Sequence, residues 1–438
     1  MFLYTEKHLA NFTLTKTALK AIYNIGIRSY SLGVKLAGAF GNSKAKKWAA
    51  GRKDWRKTIK NQLGNSEKNI WIHATSLGEF EQVKPLIEKI KADNAFSEYK
   101  IVVTFFSPSG YDYSKNYELA DFKFYLPIDT KINATDFIEL INPSIAIFVK
   151  YDFWFNYLEL LQKKQIPHLF FGCNFRKNQI YFKSINKWQI EILQKINHLY
   201  TLNQRSLDVL KKHAFSNMKI SGDTRFDKVI QNANRCQPIE LIEHFKQNKK
   251  LLILGSSWEK EEDLLTRYLK ENKIWKKHLK IIIAPHNIYG NHVSEIIQKL
   301  PIKALKFSEA HEGNIQDFDV LIIDNIGMLS NLYQYGNISF IGGGFTNRLH
   351  NILEAATFSN ALLYGNKHAK FPEGEQLIKA KGAFAIKDGN EFSKHLNGFL
   401  EDNELLEKTQ RNAKAFIYNN KGATDIVFDE FKRMISKY

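Results

Sequence analysis

The sequence predicts an α/β protein built from two parallel-sheet units, and three observations predict it. From residue 69 onward, short apolar runs of strand character alternate with segments whose apolar residues recur at helical spacing. That βα rhythm loosens near residues 231–248 and then restarts at Leu251. At 438 residues the chain is also longer than one ordinary core supports.

The elements follow in order. Leu19 to Phe40 mixes Ile22, Tyr23, Ile25, Ile27, Tyr30, Leu32, Val34 and Leu36 with Lys20, Arg28 and Lys35 and contains no acid. A basic, apolar helix of that type suits a membrane interface, and it equally suits packing on its own domain with a solvated basic face. Lys44, Lys46, Lys47, Arg52, Lys53, Arg56 and Lys57 follow, with Trp48 and Trp55 among them, a pairing that fits anionic headgroups. Strands are expected at 69–75, 99–106, 122–126, 144–150, 168–173, 198–202 and 218–221, with helices at 80–92, 133–141, 153–164 and 185–196. The second set places strands near 251–255, 279–284, 303–306, 319–323, 338–342, 361–364 and 383–386. Its helices fall at 259–270, 290–299, 326–335, 351–358 and 373–380, and closing helices near 391–400, 404–418 and 424–436 end the pattern. The expected organisation is a basic segment over 1–60, a first domain over 61–235 and a second over 245–438, with a ligand cleft between the two domains.

Composition narrows the function. A formal net charge of +18 implies an anionic partner. The basic residues form no single arm or repeat and no nucleic-acid-binding signature is present, so a membrane or a phosphorylated lipid ranks above nucleic acid. Cys173 and Cys236 are the only cysteines, which excludes a disulfide framework and a cysteine metal cluster. No His/Cys/Asp set has metal spacing, and no Walker loop or Gly-x-Ser-x-Gly elbow occurs. No cleavable signal peptide is evident, and no run of 18 predominantly apolar residues predicts a span.

The stretch Trp71 to Phe80 reads as a strand, a turn and the start of a helix. Gly78 is the expected turn residue, and Ser76, Gly78 and Glu79 fall where ligands bind open α/β sheets. A carboxylate there can take a proton from an attacking hydroxyl; Ser76-x-x-Glu79 is also a capping box, and the stretch alone leaves both readings open. In the second half, four strand ends carry candidate binding groups: Ser256 after Gly255, then Pro285 and His286, then Ile326, Gly327 and Met328, and finally Gly343 and Gly344 before Asn351, Ile352, Leu353 and Glu354. Glycines admit a phosphate to the backbone, and a helix amino end attracts it. Glu354 suits ribose hydroxyls, or a cap with Asn351. Asp324 reads as a cap rather than a metal ligand.

Together these segments resemble the 3-deoxy-D-manno-octulosonic acid (Kdo) transferases of lipopolysaccharide synthesis, over roughly residues 20–430. His73 to Glu79 is similar to that family's His-Ser-x-Ser-x-Gly-Glu. Thr104 to Gly110, with Ser107-Pro108-Ser109-Gly110, is similar to its Thr-x-Thr-Pro-x-Gly type segment, and Tyr125 to Asp129 to its Tyr-Leu-Pro-x-Asp. Gly222 to Asp227 is similar to Gly-x-x-Lys-Phe-Asp, and Gly342 to Glu354, followed by Gly365 to Phe371, to its glycine-rich and His-Asn-Pro-Leu-Glu signature. The resemblance implies a GT-B fold, two Rossmann-like domains facing a central cleft, and inverting transfer of Kdo from CMP-Kdo to a lipid A precursor. The setting it implies is the cytoplasmic face of the bacterial inner membrane, at an anionic surface, with no cofactor beyond the donor substrate. It assigns the base to Glu79, a charge-steadying role to Arg225 and an acidic role to Asp152. The CMP contacts fall on the second-half segments above. The chain departs from the pattern at Lys150, where the family has an acid, at Pro285-His286-Asn287, at Ile326-Gly327-Met328 and at Leu349-His350-Asn351-Ile352. The competing readings are a UDP-sugar glycosyltransferase or epimerase of the same fold, and a membrane-associated binding protein without catalysis.

Overall fold

Strands buried on both faces are largely apolar, and that pattern runs through both halves of the computed structural model. It describes residues 15–64, 68–183 and 186–437; the first fourteen residues of the expected 1–60 segment lie outside them. The chain divides into two compact units, residues up to Thr224 together with Gly422 onward, and Arg225–Lys421.

The first unit holds β1 (Asn69–His73), β2 (Lys100–Phe105), β3 (Phe122–Tyr125), β4 (Pro143–Val149), β5 (His168–Cys173), β6 (His198–Thr201) and β7 (Met218–Ile220). Their order is β3-β2-β1-β4-β5-β6-β7, with every pair parallel. The second unit holds β8 (Lys250–Ser257), β9 (Leu279–Pro285), β10 (Ala304–Lys306), β11 (Val320–Ile322), β12 (Ile338–Ile341), β13 (Ala361–Gly365) and β14 (Ala383–Ile386). Their order is β10-β11-β9-β8-β12-β13-β14, again parallel throughout. All fourteen expected strands form, within two residues of their expected ends. In each sheet the winding reverses once, between β1 and β4 and between β8 and β12, and ligands bind at the carboxyl ends flanking such a reversal.

One expectation about domain limits is corrected. The helix Ala423–Ile435 belongs to the first unit, not to a domain running 245–438. Its Val427, Phe428, Phe431, Met434 and Ile435 complete the core formed by Phe80, Val83, Ile87 and Phe96. Glu430, almost wholly buried, accepts from the Tyr200 hydroxyl at 2.8 Å and lies 3.1 Å from His198 Nε2. The loosely patterned stretch near 231–248 is largely helical, Thr224–Asn234 and Glu240–Lys246, and contributes Ile242 and Phe245 to the second core.

The basic amino-terminal region forms the helices Lys16–Ala39, Ser43–Ala50 and Trp55–Leu63. Trp55, Ile59 and Leu63 lie in the first unit's core and Trp48 is buried, so the two tryptophans are not free for a headgroup surface. The helix Lys16–Ala39 is tied down by the Tyr23 hydroxyl, which donates to Asp129 Oδ2 at 2.6 Å. Ile22, Ile25, Leu32, Leu36 and, just beyond the helix, Phe40 stay exposed. Among the described residues no helix is long and apolar enough to cross a membrane.

Candidate functional site

In the first unit the site forms where β1 and β4 end. β1 runs through Ala74 into the helix Leu77–Ala92, whose N-cap is Ser76. Glu79, in the first turn, accepts from Ser76 N at 3.0 Å through Oε2, the reach-back half of a capping box. Its other oxygen, Oε1, lies 4.0 Å from Lys150 Nζ, and the Glu79 side chain keeps 14% exposure. Both readings of Ser76-x-x-Glu79 are therefore compatible: one oxygen caps the helix while the other stays available. Gly78 is not the turn residue; it sits inside the helix, exposed, and a Cβ there meets nothing within 4 Å. Gly110 is the glycine this site needs, since a Cβ there stands 3.1 Å from the Ser76 carbonyl carbon and against the Phe105 ring.

Asp152 follows β4 and turns back toward β1. Its Oδ2 accepts from Thr75 N at 3.3 Å. Burial, reinforced by the Glu79 charge, pushes its carboxyl up to about 7. His73 Nε2 is 3.8 Å away, yet burial drives that imidazole down to about 3, so it stays neutral and forms no ion pair. Its Nε2 instead accepts from Trp154 Nε1 at 3.0 Å, and its Nδ1 meets the Thr104 hydroxyl at 2.9 Å. The result is two carboxylates and one ammonium on a neutral, hydrogen-bonded floor.

Beside this site a cavity of about 600 Å³ lies against the amino-terminal helices, lined in part by Lys35, Lys46, Trp48, Arg52 and Trp55. Arg52 is fixed there by the carbonyls of Leu126, Phe106 and Trp48 at 2.8–3.0 Å and by the Trp48 ring at 4.0 Å. The pattern of basic residues had signalled Arg52 only as surface charge.

In the second unit Ser256, at φ +52°, is the penultimate residue of β8, and Gly342 and Gly343 follow β12. A Cβ on Gly342 falls 1.9 Å from the Ser256 carbonyl oxygen, one on Gly343 2.2 Å from the Arg348 carbonyl oxygen, and one on Gly344 2.4 Å from Gly365 N. These glycines let backbones approach each other. The Gly343 amide donates to Glu261 Oε1 at 3.0 Å. The helices expected at 326–335 and 351–358 are short, Leu329–Leu332 and Leu353–Thr357, which leaves little macrodipole for an anion.

Pro285 ends β9 buried, and His286 stacks on Trp258 with ring centres 4.5 Å apart. His350 lies 4.7 Å from His286 and accepts from Trp258 Nε1 at 3.1 Å; burial, with a smaller effect of His286, lowers it to about 4. This aromatic group is the feature that sequence reasoning missed beyond His286, because its members come from three separate turns. Ile326 is exposed, Gly327 adopts φ +94° and Met328 is partly buried. Ile352 and Leu353 are core residues, while Asn351 Nδ2 donates to Glu354 Oε1 at 2.8 Å. Arg225 opens the helix Thr224–Asn234 and donates to Glu373 Oε1 at 2.9 Å. Asp324 accepts from Ser308 N at 3.0 Å.

Comparison with known proteins finds relatives of named activity. A family model described as 3-Deoxy-D-manno-octulosonic-acid transferase (kdotransferase) matches residues 51–228. The 3-deoxy-D-manno-octulosonic acid transferase of Rickettsia bellii is 26% identical over 384 residues, covering 84% of this chain and 88% of that protein. The enzyme of the same name from Aquifex aeolicus is 25% identical over 344 residues, covering 78% and 88%. Among solved structures, the UDP-GlcNAc 2-epimerase from Neisseria meningitidis bound to UDP-GlcNAc aligns with a TM-score of 0.59 at 14% identity, over 84% of this chain and all of that one. A second, from Listeria monocytogenes, gives 0.60 at 11% identity over 84% and 97%. At such identities these two carry the GT-B fold and nothing about substrate.

Proposed function

We propose a function from one premise: the chain belongs to the 3-deoxy-D-manno-octulosonic-acid (Kdo) transferase family. It is a glycosyltransferase of lipopolysaccharide core biosynthesis, and its donor and acceptor are CMP-Kdo and a lipid A precursor. The observation that carries the mechanistic reading is the carboxylate pair Glu79 and Asp152 at the reversal between β1 and β4.

An acceptor hydroxyl is a poor nucleophile at neutral pH, so a carboxylate must take its proton as the glycosidic bond forms. Glu79 is that base, with one oxygen held by the Ser76 amide and the other free to receive the proton. The bond from Kdo to the CMP phosphate breaks on the opposite face, which inverts the transferred centre. Charge develops on the departing phosphate, and Arg225, held in place by Glu373, is the cation assigned to it. Trp258, His286 and His350 offer the cytosine a stacking surface.

The acceptor is an anionic amphiphile, and the first unit suits one. Its cavity carries Lys35, Lys46 and Arg52, and the exposed Ile25, Leu32, Leu36 and Phe40 lie on and just after the helix that carries Lys20, Arg28 and Lys35. We place the enzyme peripherally on the anionic, cytoplasmic face of the inner membrane on that basis.

The test is transfer by the purified protein with CMP-Kdo and a lipid A precursor, run beside Glu79→Gln. Transfer by the wild type, lost in the variant, is the expected result. Competition by UDP in place of CMP would instead assign a UDP-sugar donor.

A further inference from the structure

The cavity of about 600 Å³ against the amino-terminal helices is lined by Lys35, Lys46, Arg52 and Lys53 and by no carboxylate. None of these four cations has a carboxylate partner among the described residues. Outside the cavity, Lys47 and Arg56 pair with Asp112 at 2.9 Å and Asp136 at 2.6 Å. Gly38 lets the first two helices cross closely, since a Cβ there would stand 3.0 Å from Lys46 N; Lys35 precedes that crossing by one turn.

Arg52 is the best-oriented of the four. Its Nε, Nη1 and Nη2 donate to the carbonyls of Leu126, Trp48 and Phe106. A guanidinium has five N–H groups, so two are left without an acceptor among the described residues. Its central carbon lies over the rings of Trp48, Phe106 and Tyr125 at 4.0, 4.7 and 5.1 Å. Gly51 permits that approach, because a Cβ there would stand 2.2 Å from Tyr125 Cε2. Carbonyls and rings orient a cation without neutralising it, and burying one costs free energy unless an anion joins it. Burial accordingly lowers the Arg52 guanidinium to about 9. Beneath it the buried Trp48 indole N–H also has no acceptor among the described residues.

One layer of rings separates this cavity from the carboxylate site. Phe106 lies 5.6 Å from Trp48 and 4.7 Å from Trp154, and Trp154 Nε1 donates to His73, which is 3.8 Å from Asp152. A phosphate monoester brings up to two negative charges and three acceptor oxygens, which suits a planar fork with lysines around it. Leu32, Leu36 and Phe40, exposed on and just after the helix that carries Lys35, offer apolar surface to a chain attached to it.

We propose that the cavity binds a phosphomonoester of the amphiphilic acceptor, held by Arg52 with Lys35, Lys46 and Lys53, and so fixes that acceptor beside Glu79 and Asp152. This rests on the reading of the acceptor as an anionic amphiphile.

The experiment titrates the purified chain at pH 8 in a calorimeter with three water-soluble probes: octyl phosphate, a monoester; dihexanoyl phosphatidylglycerol, a diester; and octyl glucoside, uncharged. Octyl phosphate should occupy one site per chain, with the diester about tenfold weaker and the glucoside weaker still. Lys35→Met/Lys46→Met changes two exposed side chains, so it should keep the wild-type Tm and lose about tenfold in octyl phosphate affinity. Arg52→Met should lose as much, and Arg52→Lys, which keeps the charge without the fork, should fall between. Equal affinity for the diester would make this a general headgroup surface, and equal affinity for the glucoside an apolar cavity; either overturns the proposal. So does an unchanged affinity in the double lysine variant, whatever Arg52→Met does to folding. In turnover the double variant should raise the acceptor KM about tenfold and keep kcat; an unmoved KM would remove the acceptor from the cavity. Absence of any transfer by the wild type would sink the reading of the reaction, while the probe titrations would still decide the cavity.

Discussion

The buried carboxylate of Glu261 joins the two turns at the reversal of the second sheet, accepting from Gly343 N at 3.0 Å and from Trp258 N at 3.2 Å. Glu261→Ala leaves two amides without acceptors, at about 1–3 kcal/mol each. Calorimetric unfolding should give a lower Tm, and titration with CMP a weaker affinity. Glu261→Gln, which retains one acceptor oxygen, should fall between wild type and alanine in both.

The first-unit carboxylates should respond differently to substitution. Glu79→Gln should lower kcat by about a hundred- to ten-thousand-fold with little change in KM, read from single-turnover transfer. Asp152→Asn mimics the protonated form that Asp152 holds below about pH 7, so most of its turnover should survive at pH 6.

Stability should depend on pH through the same groups. Asp152 and Glu261 are each pushed up to about 7 by burial, and Asp129 to about 6. Between about pH 4, where an unfolded chain releases these protons, and pH 7, the native state binds more protons than the unfolded state. Their contribution is thus complete at acid pH and is lost as pH rises through the folded values. Tm measured from pH 4.5 to 8 should show that loss, and Asp152→Asn should remove one part of it.

Two glycines should respond oppositely to alanine. Gly78→Ala adds a Cβ in open space within a helix and should be neutral or stabilising by about 0.5 kcal/mol. Gly342→Ala drives a Cβ to 1.9 Å from a backbone oxygen, and should cost about 3 kcal/mol in denaturant unfolding.

The stack at the ends of β8 and β9 should report on the donor. His350→Ala removes the ring that accepts from Trp258 and abuts His286, and should weaken CMP binding about tenfold. Because burial lowers His350 to about 4, wild-type CMP affinity should show no step from this residue between pH 5.5 and 8.

Much of this was legible in the chain. A strand buried on both faces leaves a continuous apolar run, as in Ile145 to Val149 or Ile281 to Ala284, so all fourteen strands could be read. Glu79 could be read because strand, turn and helix lie consecutively. The pairing of Trp258 with His350 could not, since 92 positions separate them and each alone is an ordinary surface aromatic or histidine. Gly78 misled because a glycine between strand and helix suggests a turn, whereas the tight approach falls to Gly110, brought from the next βα unit. The helix Ala423–Ile435 misled because an amphipathic stripe carries no label for the core it will cover.

That helix has a consequence for how the chain reaches its native state. The first unit's core lacks Val427, Phe431 and Ile435 until the ribosome has made all of the second unit. During synthesis, Phe80, Val83 and Ile87 therefore remain incompletely covered while Arg225–Lys421 emerges and folds. The second unit behaves as an insertion within the first. Its misfolding would withhold the covering helix, exposing apolar surface on an otherwise finished neighbour and making it a target for chaperones.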